Sequence, residues 1–103
     1  MIERLHSPSS AFFVRLRLIE HANLKARDIV VLAAIKTQPG IMGRQLAIKL
    51  GYPTRSAVQD AIHRLIKHGY IVDRRPTQDQ QTPNDLHITD AGVTLLADIV
   101  PHD

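Results

Sequence analysis

The sequence predicts a mainly α-helical domain with one small β-hairpin, in the order helix, helix, short strand, helix, helix, hairpin, helix. Apolar residues recur at helical spacing in five segments, glycine or proline follows several of these segments, and two short β-type segments flank a polar loop. A chain of 103 residues has room for one domain, so residues 1–103 are expected to share one core. Because only two Phe and two Tyr are present, that core must be mostly aliphatic.

The first two predicted helices differ in how much of their surface is apolar. Residues 9–22 form an N-terminal helix, because apolar residues recur there every three or four positions. Residues 25–36 are apolar on most sides, which places this second helix in the middle of the core. Pro39-Gly40 ends it, and Ile41-Met42 is long enough only for a brief extended piece.

The next two helices are joined by a tight turn. Residues 43–50 form a two-turn helix that Gly51 ends, and Thr54 is placed to cap a helix over residues 55–68, which Gly69 ends in turn. Two helices joined by about three residues form a helix-turn-helix. An ordinary helical hairpin in a small bundle is the alternative at this point.

The C-terminal third predicts a hairpin and a last helix. Residues 70–74 and 86–89 contain β-type residues and flank a polar loop with two prolines, which indicates an antiparallel hairpin. Thr89 is placed to cap a helix over residues 90–100, whose apolar stripe is Val93, Leu96 and Val100, broadened by Leu95 and Ile99. The prediction is therefore a winged helix-turn-helix over residues 24–89, between the flanking helices.

The charge is concentrated in the middle of the chain. Residues 41–75 contain seven Lys or Arg against two Asp, whereas residues 76–103 contain no Lys or Arg and five Asp. A polyanion would be drawn to the middle third. Solvation of ordinary helix faces would explain the same residues, so charge alone leaves both interpretations open.

The helix-turn-helix resembles the MarR-like branch of the winged-helix regulators. The similarity lies in residues 43–51 (GRQLAIKLG), Val58, residues 65–71 (LIKHGYI), residues 74–76 (RRP) with Asp79, and residues 88–92 (ITDAG), within about residues 24–95. The resemblance implies a winged-helix fold, transcriptional regulation and a symmetric dimer.

The second helix of this motif has a polar face suited to reading DNA bases. Arg55 begins the helix. The residues nearly opposite the core-facing Val58 are Ser56, Asp60, His63 and Lys67, and Gln59 lies beside them. Arg can make paired hydrogen bonds to guanine and Gln to adenine. The phosphate contacts are expected from Arg44, Thr54, Arg64, Lys67, Arg74 and Arg75. A solvated helix face is the competing interpretation.

Apolar residues outside the motif suggest a homodimer. The expected interface consists of Phe12, Phe13, Leu16, Ile19, Leu96 and Val100. The sequence thus predicts a double-stranded DNA-binding regulator that acts as a dimer. A winged helix that binds another protein, without specific DNA binding, is the alternative, because Asp60 and the acidic last third oppose a DNA phosphate backbone.

Several other classes of protein are not expected. The chain has no cysteine, its six histidines lack a ligand-like spacing, and it has neither a phosphate-binding glycine loop nor a nucleophile motif. We therefore expect no metal, no cofactor and no enzymatic activity. No apolar run approaches the roughly 20 residues of a membrane span, so a cytoplasmic protein is expected. The sequence does not indicate whether a small-molecule effector exists.

Overall fold

A helix-turn-helix followed by a β-hairpin is the central feature of the fold. The computed structural model describes residue 14 and residues 17–79 and 81–99. Its elements are α1 (residues 17–21), α2 (Ala26–Thr37), α3 (Gly43–Leu50), α4 (Arg55–Lys67), β1 (Ile71–Asp73), β2 (Leu86–Ile88) and α5 (Asp90–Ile99). The predicted order is confirmed, and α2 to α5 begin and end within one residue of their predicted bounds.

Helix α2 is the centre of the core, as predicted. Its Val31, Leu32 and Ile35 are fully buried, and the helix packs against α3, α4, β2 and α5. Burial of an aliphatic side chain of this size stabilises the fold by roughly 1.5–3 kcal/mol. The prediction that the helix is apolar and buried on most sides fails at Val30, whose side chain is 44% exposed. The one acidic residue of the helix, Asp28, is by contrast completely buried.

The turn between α3 and α4 follows from one glycine. Gly51 adopts φ +74°, a left-handed conformation that costs side-chain-bearing residues energy, and this lets the chain leave α3 sharply. Leu46 of α3 and Val58 and Ile62 of α4 are buried together, which holds the two helices against each other. Both the turn and this packing were predicted.

The hairpin is antiparallel and shorter than predicted. Ile71 pairs with Ile88 and Asp73 with Leu86. An isolated bridge joins Ile41 to Leu86, which confirms the predicted extended piece and ties it to the hairpin. The loop between the strands, residues 74–85, is called the hairpin loop below.

Helix α5 is capped as predicted but turned differently. The Thr89 hydroxyl accepts a hydrogen bond from the Gly92 amide at 3.1 Å and donates one to the Gly69 carbonyl at 2.7 Å. The buried face consists of Gly92, Leu96 and Ile99. The prediction that Val93 faces the core is wrong, because its side chain is 39% exposed. A Cβ on Gly92 would strike the Tyr70 carbonyl, so the glycine lets α5 lie directly on the hairpin.

The N-terminal helix can be compared with its prediction only in part. Residues 1–13, 15 and 16 lie outside the described residues, and Phe12, Phe13 and Leu16 are among them. Within α1, Leu18 and Ile19 are partly buried against the core. Among the helices that are described, none combines the length and the apolar character that crossing a bilayer requires.

Candidate nucleic-acid interface

The polar side of α4 is open to solvent. Arg55, Ser56 and His63 are exposed and Gln59 is half-buried. The opposite side of the helix consists of the buried residues Val58, Ala61, Ile62 and Leu65. Because the apolar side anchors α4 to the core, the four residues predicted to face bases point away from it.

Two of these residues interact with each other. Gln59 Nε2 and His63 Nε2 lie 3.1 Å apart, one helical turn apart on the same face. An amide nitrogen can only donate, so this hydrogen bond forms in the tautomer of His63 whose Nε2 accepts. In that tautomer the pair presents the Gln59 carbonyl oxygen, the second N–H of Gln59 Nε2 and the His63 Nδ1–H as its free hydrogen-bonding groups.

An open cleft lies between α4 and the hairpin loop. It has a volume of about 530 Å³. Its lining consists of Arg55, Ser56, Gln59, His63, Arg75, Gln78 and Asn84. The four predicted base-reading residues are thus on one wall, and residues of the hairpin region form the other.

Arg64 points away from this cleft and binds a buried carboxylate. Its Nε and a terminal nitrogen donate to the two oxygens of Asp28 at 2.8 and 2.9 Å. The second partner of Asp28 is the Lys25 amide at the start of α2, at 2.9 Å. The hydrogen bond to Asp28 outweighs partial desolvation and raises the pKa of Arg64. Its guanidinium therefore joins α4 to α2, a partnership that the sequence analysis did not anticipate.

Arg75 is likewise engaged within the protein. Its Nε lies 3.1 Å from the Asp73 carboxylate as an ion pair without hydrogen-bond alignment, and its side chain is 16% exposed. One terminal nitrogen donates to the carbonyls of Asp79 and Thr82, at 3.3 and 3.0 Å. The guanidinium therefore shapes the hairpin loop from the inside.

Asp73 is the acceptor at the base of the hairpin loop. It receives hydrogen bonds from the Asn84 side chain at 2.8 Å and from the amides of Arg75 and Asp85, both at 3.1 Å. Burial acts to raise the pKa of Asp73. These hydrogen bonds and the charge of Arg75 outweigh that effect and hold its pKa below the usual value.

The other predicted phosphate-binding residues lie at the surface. Arg44 is on the first turn of α3, Lys67 ends α4, and Arg74 directly follows β1. All three are exposed, and none forms an ion pair with another residue of the described part of the chain. Thr54 is at the N-cap of α4 with extended backbone angles, and its hydroxyl makes no capping bond to the described first turn.

Solved structures with the same architecture are known, although no protein-family model and no curated protein sequence matches the chain. S. aureus MepR in complex with DNA has a TM-score of 0.71 at 16% identity, with 91% of this chain and 77% of that chain covered. Streptococcus pneumoniae FabT in complex with DNA has a TM-score of 0.60 at 21% identity, with 93% and 71% covered. A crystal structure of MarR has a TM-score of 0.65 at 22% identity, with 78% of this chain and 53% of MarR covered. The chain has a MarR-like winged-helix fold.

In this winged helix, the hairpin and its loop form the wing, and α3 and α4 form the helix-turn-helix. The chain spans about half the length of MarR and about three quarters of MepR. At these identities the likeness shows the fold alone, so the function has to be argued from the residues of this chain.

Asn84 is a buried polar residue of the wing, beside the cleft, that the sequence analysis missed. Its side chain is 6% exposed and donates to Asp73, while its Oδ1 has no hydrogen-bond partner among the described residues. A Cβ built on Gly43 would lie 2.9 Å from that oxygen. The only signal in the sequence was a position in a polar loop, which does not indicate burial.

The residues expected at a dimer interface are mostly outside the described part of the chain. Phe12, Phe13, Leu16 and Val100 lie outside the residues that the structure describes. Ile19 is partly buried, and Leu96 is 4% exposed within its own chain. Leu96 therefore has little surface left for a second copy.

None of the described histidines belongs to a cluster of three or more potential metal ligands. Within residues 17–79 and 81–99, no group of three or more His, Asp or Glu side chains is placed to hold a metal ion. His87 instead lies 2.8 Å from Asp85 as a pair, between β2 and the hairpin loop.

Proposed function

We propose that the chain binds double-stranded DNA sequence-specifically, as a dimeric transcriptional regulator with α4 in the major groove. One observation carries this proposal: the polar side of α4, with Arg55 and His63, is exposed while its apolar side is anchored in the core. The major groove is wide enough to admit an α-helix, and its base edges carry a distinct donor and acceptor pattern for each base pair.

The residues that read bases are Arg55, Ser56, Gln59 and His63. Arg55 is at the first position of α4, where a side chain meets the groove first, and it suits a guanine. Gln59 suits an adenine, and its bond to His63 restrains the direction of both side chains. Asp60, exposed on the same helix, can accept a hydrogen bond from the amino group of a cytosine.

The residues that contact phosphates are Arg44, Thr54, Lys67 and Arg74. Each is exposed, and the three cations lie on α3, at the end of α4 and directly after β1. Arg64 and Arg75 are left out of this set, because their guanidiniums are bound to Asp28 and to the hairpin loop. Phosphate contacts provide affinity and register but carry no sequence information.

A dimer would place two α4 helices on two half-sites. Symmetric dimers are the commonest oligomers and match the symmetry of palindromic sites. We propose that Phe12, Phe13, Leu16 and Ile19 form the interface together with Val100. The sedimentation coefficient measured against protein concentration tests this, and a monomer at the concentration that binds DNA would contradict it.

Salt dependence provides the decisive experiment. We expect the affinity for a random-sequence duplex of about 30 base pairs, measured by fluorescence anisotropy, to fall steeply between about 50 and 200 mM salt. Three phosphate-binding cations per copy correspond to a slope of about −2.7 per copy in log affinity against log salt, which is about −5.4 for the proposed dimer. Arg74→Ala should weaken binding to all sequences and reduce the slope by about one per copy. Lys36→Ala is the matched control, because Lys36 is also exposed but lies on α2.

Sequence discrimination requires a second measurement. Duplexes selected by the wild-type protein from a random pool would give its preferred site. On that site, Arg55→Ala should lose about 1–3 kcal/mol, with much less effect on random duplexes. A uniform loss would show that Arg55 contacts only the backbone.

A protein-binding winged helix is the second candidate. Asp60 is exposed on α4, and the described part of the hairpin loop beyond Arg75 carries Asp79 and Asp85 and no Lys or Arg. Both features would repel a phosphate backbone. If the protein does not bind DNA, or if its affinity for DNA does not change with salt concentration, this candidate is favoured over the first.

A further inference from the structure

We propose that Asn84 and Gly43 are positioning residues that set the spacing between the wing and the start of α4, and thereby the sequence discrimination of the DNA contact. This inference rests on the proposed function. Neither residue would touch DNA; both would act through Arg55.

The first support is the way Asn84 is held. Its amide donates to Asp73 at 2.8 Å, and Asp73 also accepts from the Arg75 and Asp85 amides. Asp73 ends β1, so Asn84 joins the far side of the hairpin loop to the strand from which the loop departs. With its side chain 6% exposed, Asn84 has little freedom to take another orientation.

The second support is the contact between Asn84 and Gly43. Gly43 is the buried first residue of α3, and a Cβ at that position would lie 2.9 Å from Asn84 Oδ1. The same point is 3.5 Å from Ile62 Cδ1 and 3.8 Å from Arg55 Nε. The wing, α3 and α4 therefore meet over a residue without a side chain, and any larger residue would have to push one of them away.

The third support is the position of Asn84 between two clefts. It lines the cleft that contains the base-reading side of α4, and it also lines a second cleft of about 290 Å³. Arg55 lines both clefts as well, whereas Arg44 and Gln81 line only the second. A shift of Asn84 would thus change the surroundings of Arg55 on both sides.

Positioning and electrostatics can be separated because Asn84 carries no charge. Removing its side chain alters the geometry around Arg55 but leaves every exposed cation in place. Affinity for random DNA depends on the phosphate contacts, and discrimination depends on base contacts that require close alignment. A positioning residue should therefore change discrimination and leave non-specific affinity alone.

The test compares Asn84→Ala and Gly43→Ala with wild type and with the control Thr82→Ala, in the same loop. Affinities are measured for a random-sequence duplex and for a duplex selected by the wild-type protein. We expect the ratio of the two affinities to fall roughly tenfold in both variants, within the 5- to 150-fold range of one bidentate base contact. The random-duplex affinity and its salt slope should stay within about twofold of wild type, and Thr82→Ala should keep the wild-type ratio.

Arg55→Ala in combination with each variant tests whether the effect passes through Arg55. If it does, Asn84→Ala should cause no further loss of discrimination once Arg55 is absent. An unchanged ratio in Gly43→Ala and Asn84→Ala, or an equal loss on both duplexes that follows a loss of thermal stability, would overturn the inference. If one variant fails to fold, the other decides. A wild-type protein without salt-dependent DNA binding would instead overturn the proposed function, and this inference with it.

Discussion

Removal of the Arg64 guanidinium should destabilise the protein strongly. Asp28 is completely buried, and Arg64 donates two of the three hydrogen bonds described for its carboxylate. Arg64→Ala leaves that charge with the Lys25 amide alone. Removing one partner of a buried ion pair costs about 3–5 kcal/mol. Because the Arg64 side chain is 28% exposed and water can reach part of the space, we expect the lower end, about 3 kcal/mol.

Urea unfolding followed by circular dichroism measures this loss directly. With an m value of about 2 kcal/mol/M, the midpoint should fall by about 1.5 M. Lys67→Ala is the matched control on the same helix, and since Lys67 is exposed its cost should stay below about 0.5 kcal/mol. The double variant Asp28→Asn, Arg64→Ala should be more stable than Arg64→Ala alone. It has no buried, unpaired carboxylate charge, and the side-chain oxygen of Asn can still accept the hydrogen bond from the Lys25 amide. A loss below 1 kcal/mol, or a double variant no more stable than the single one, would refute this reasoning.

Two further expectations concern stability. Because the folded pKa of Asp73 lies below its unfolded value, its stabilising effect is complete above that unfolded value and is lost as the pH falls through the folded pKa. The urea midpoints of wild type and Asp73→Asn should therefore differ at pH 6 and converge below about pH 4, and a difference that is constant with pH would contradict this. Gly92→Ala should cost about 2–3 kcal/mol, because its Cβ would strike the Tyr70 carbonyl. Gly51→Ala, at φ +74° with open space around it, should cost only about 1 kcal/mol in thermal unfolding, and equal costs would show that the close approach is unimportant.

The helix-turn-helix could be predicted from sequence because its signals are local. The buried face of α4 repeats every three or four residues, from Val58 through Ile62 to Leu65. Gly51 and Gly69 both have positive φ and mark where α3 and α4 end. Such patterns depend on residues that are close together in the sequence, so they can be recognised without knowing the tertiary structure.

The orientation of α5 could not be predicted in the same way. An apolar stripe of Val93, Leu96 and Val100 and one of Gly92, Leu96 and Ile99 differ by a small rotation of the helix. The close approach of Gly92 to Tyr70 decides between them, and a glycine does not count as apolar in a periodicity. Tertiary packing therefore turned Val93 outward.

The site residues also differ in whether their positions depend on neighbours in sequence or on tertiary contacts. The exposed side of α4 follows from its periodicity, which is why Arg55 and His63 could be placed at the surface. The role of Arg64 depends on Asp28, which is 36 positions away, and no local pattern links the two. Asn84 depends on the absence of a side chain at Gly43, a contact between a loop and a helix start.

Because some cations of residues 41–75 form ion pairs within the protein, fewer of them are available to DNA phosphates than a count from the sequence suggests. Counted from the sequence, Arg44, Arg64, Lys67, Arg74 and Arg75 are five cations for phosphates, which correspond to a salt slope of about −4.5 per copy. Arg64 and Arg75 neutralise carboxylates inside the fold, so they release no counterions from DNA. The remaining three correspond to a slope of about −2.7 per copy, so the proposed dimer should give about −5.4 instead of about −9, values far enough apart for a titration to distinguish. A slope near −4.5 per copy would mean that DNA draws both Arg64 and Arg75 out of their internal ion pairs.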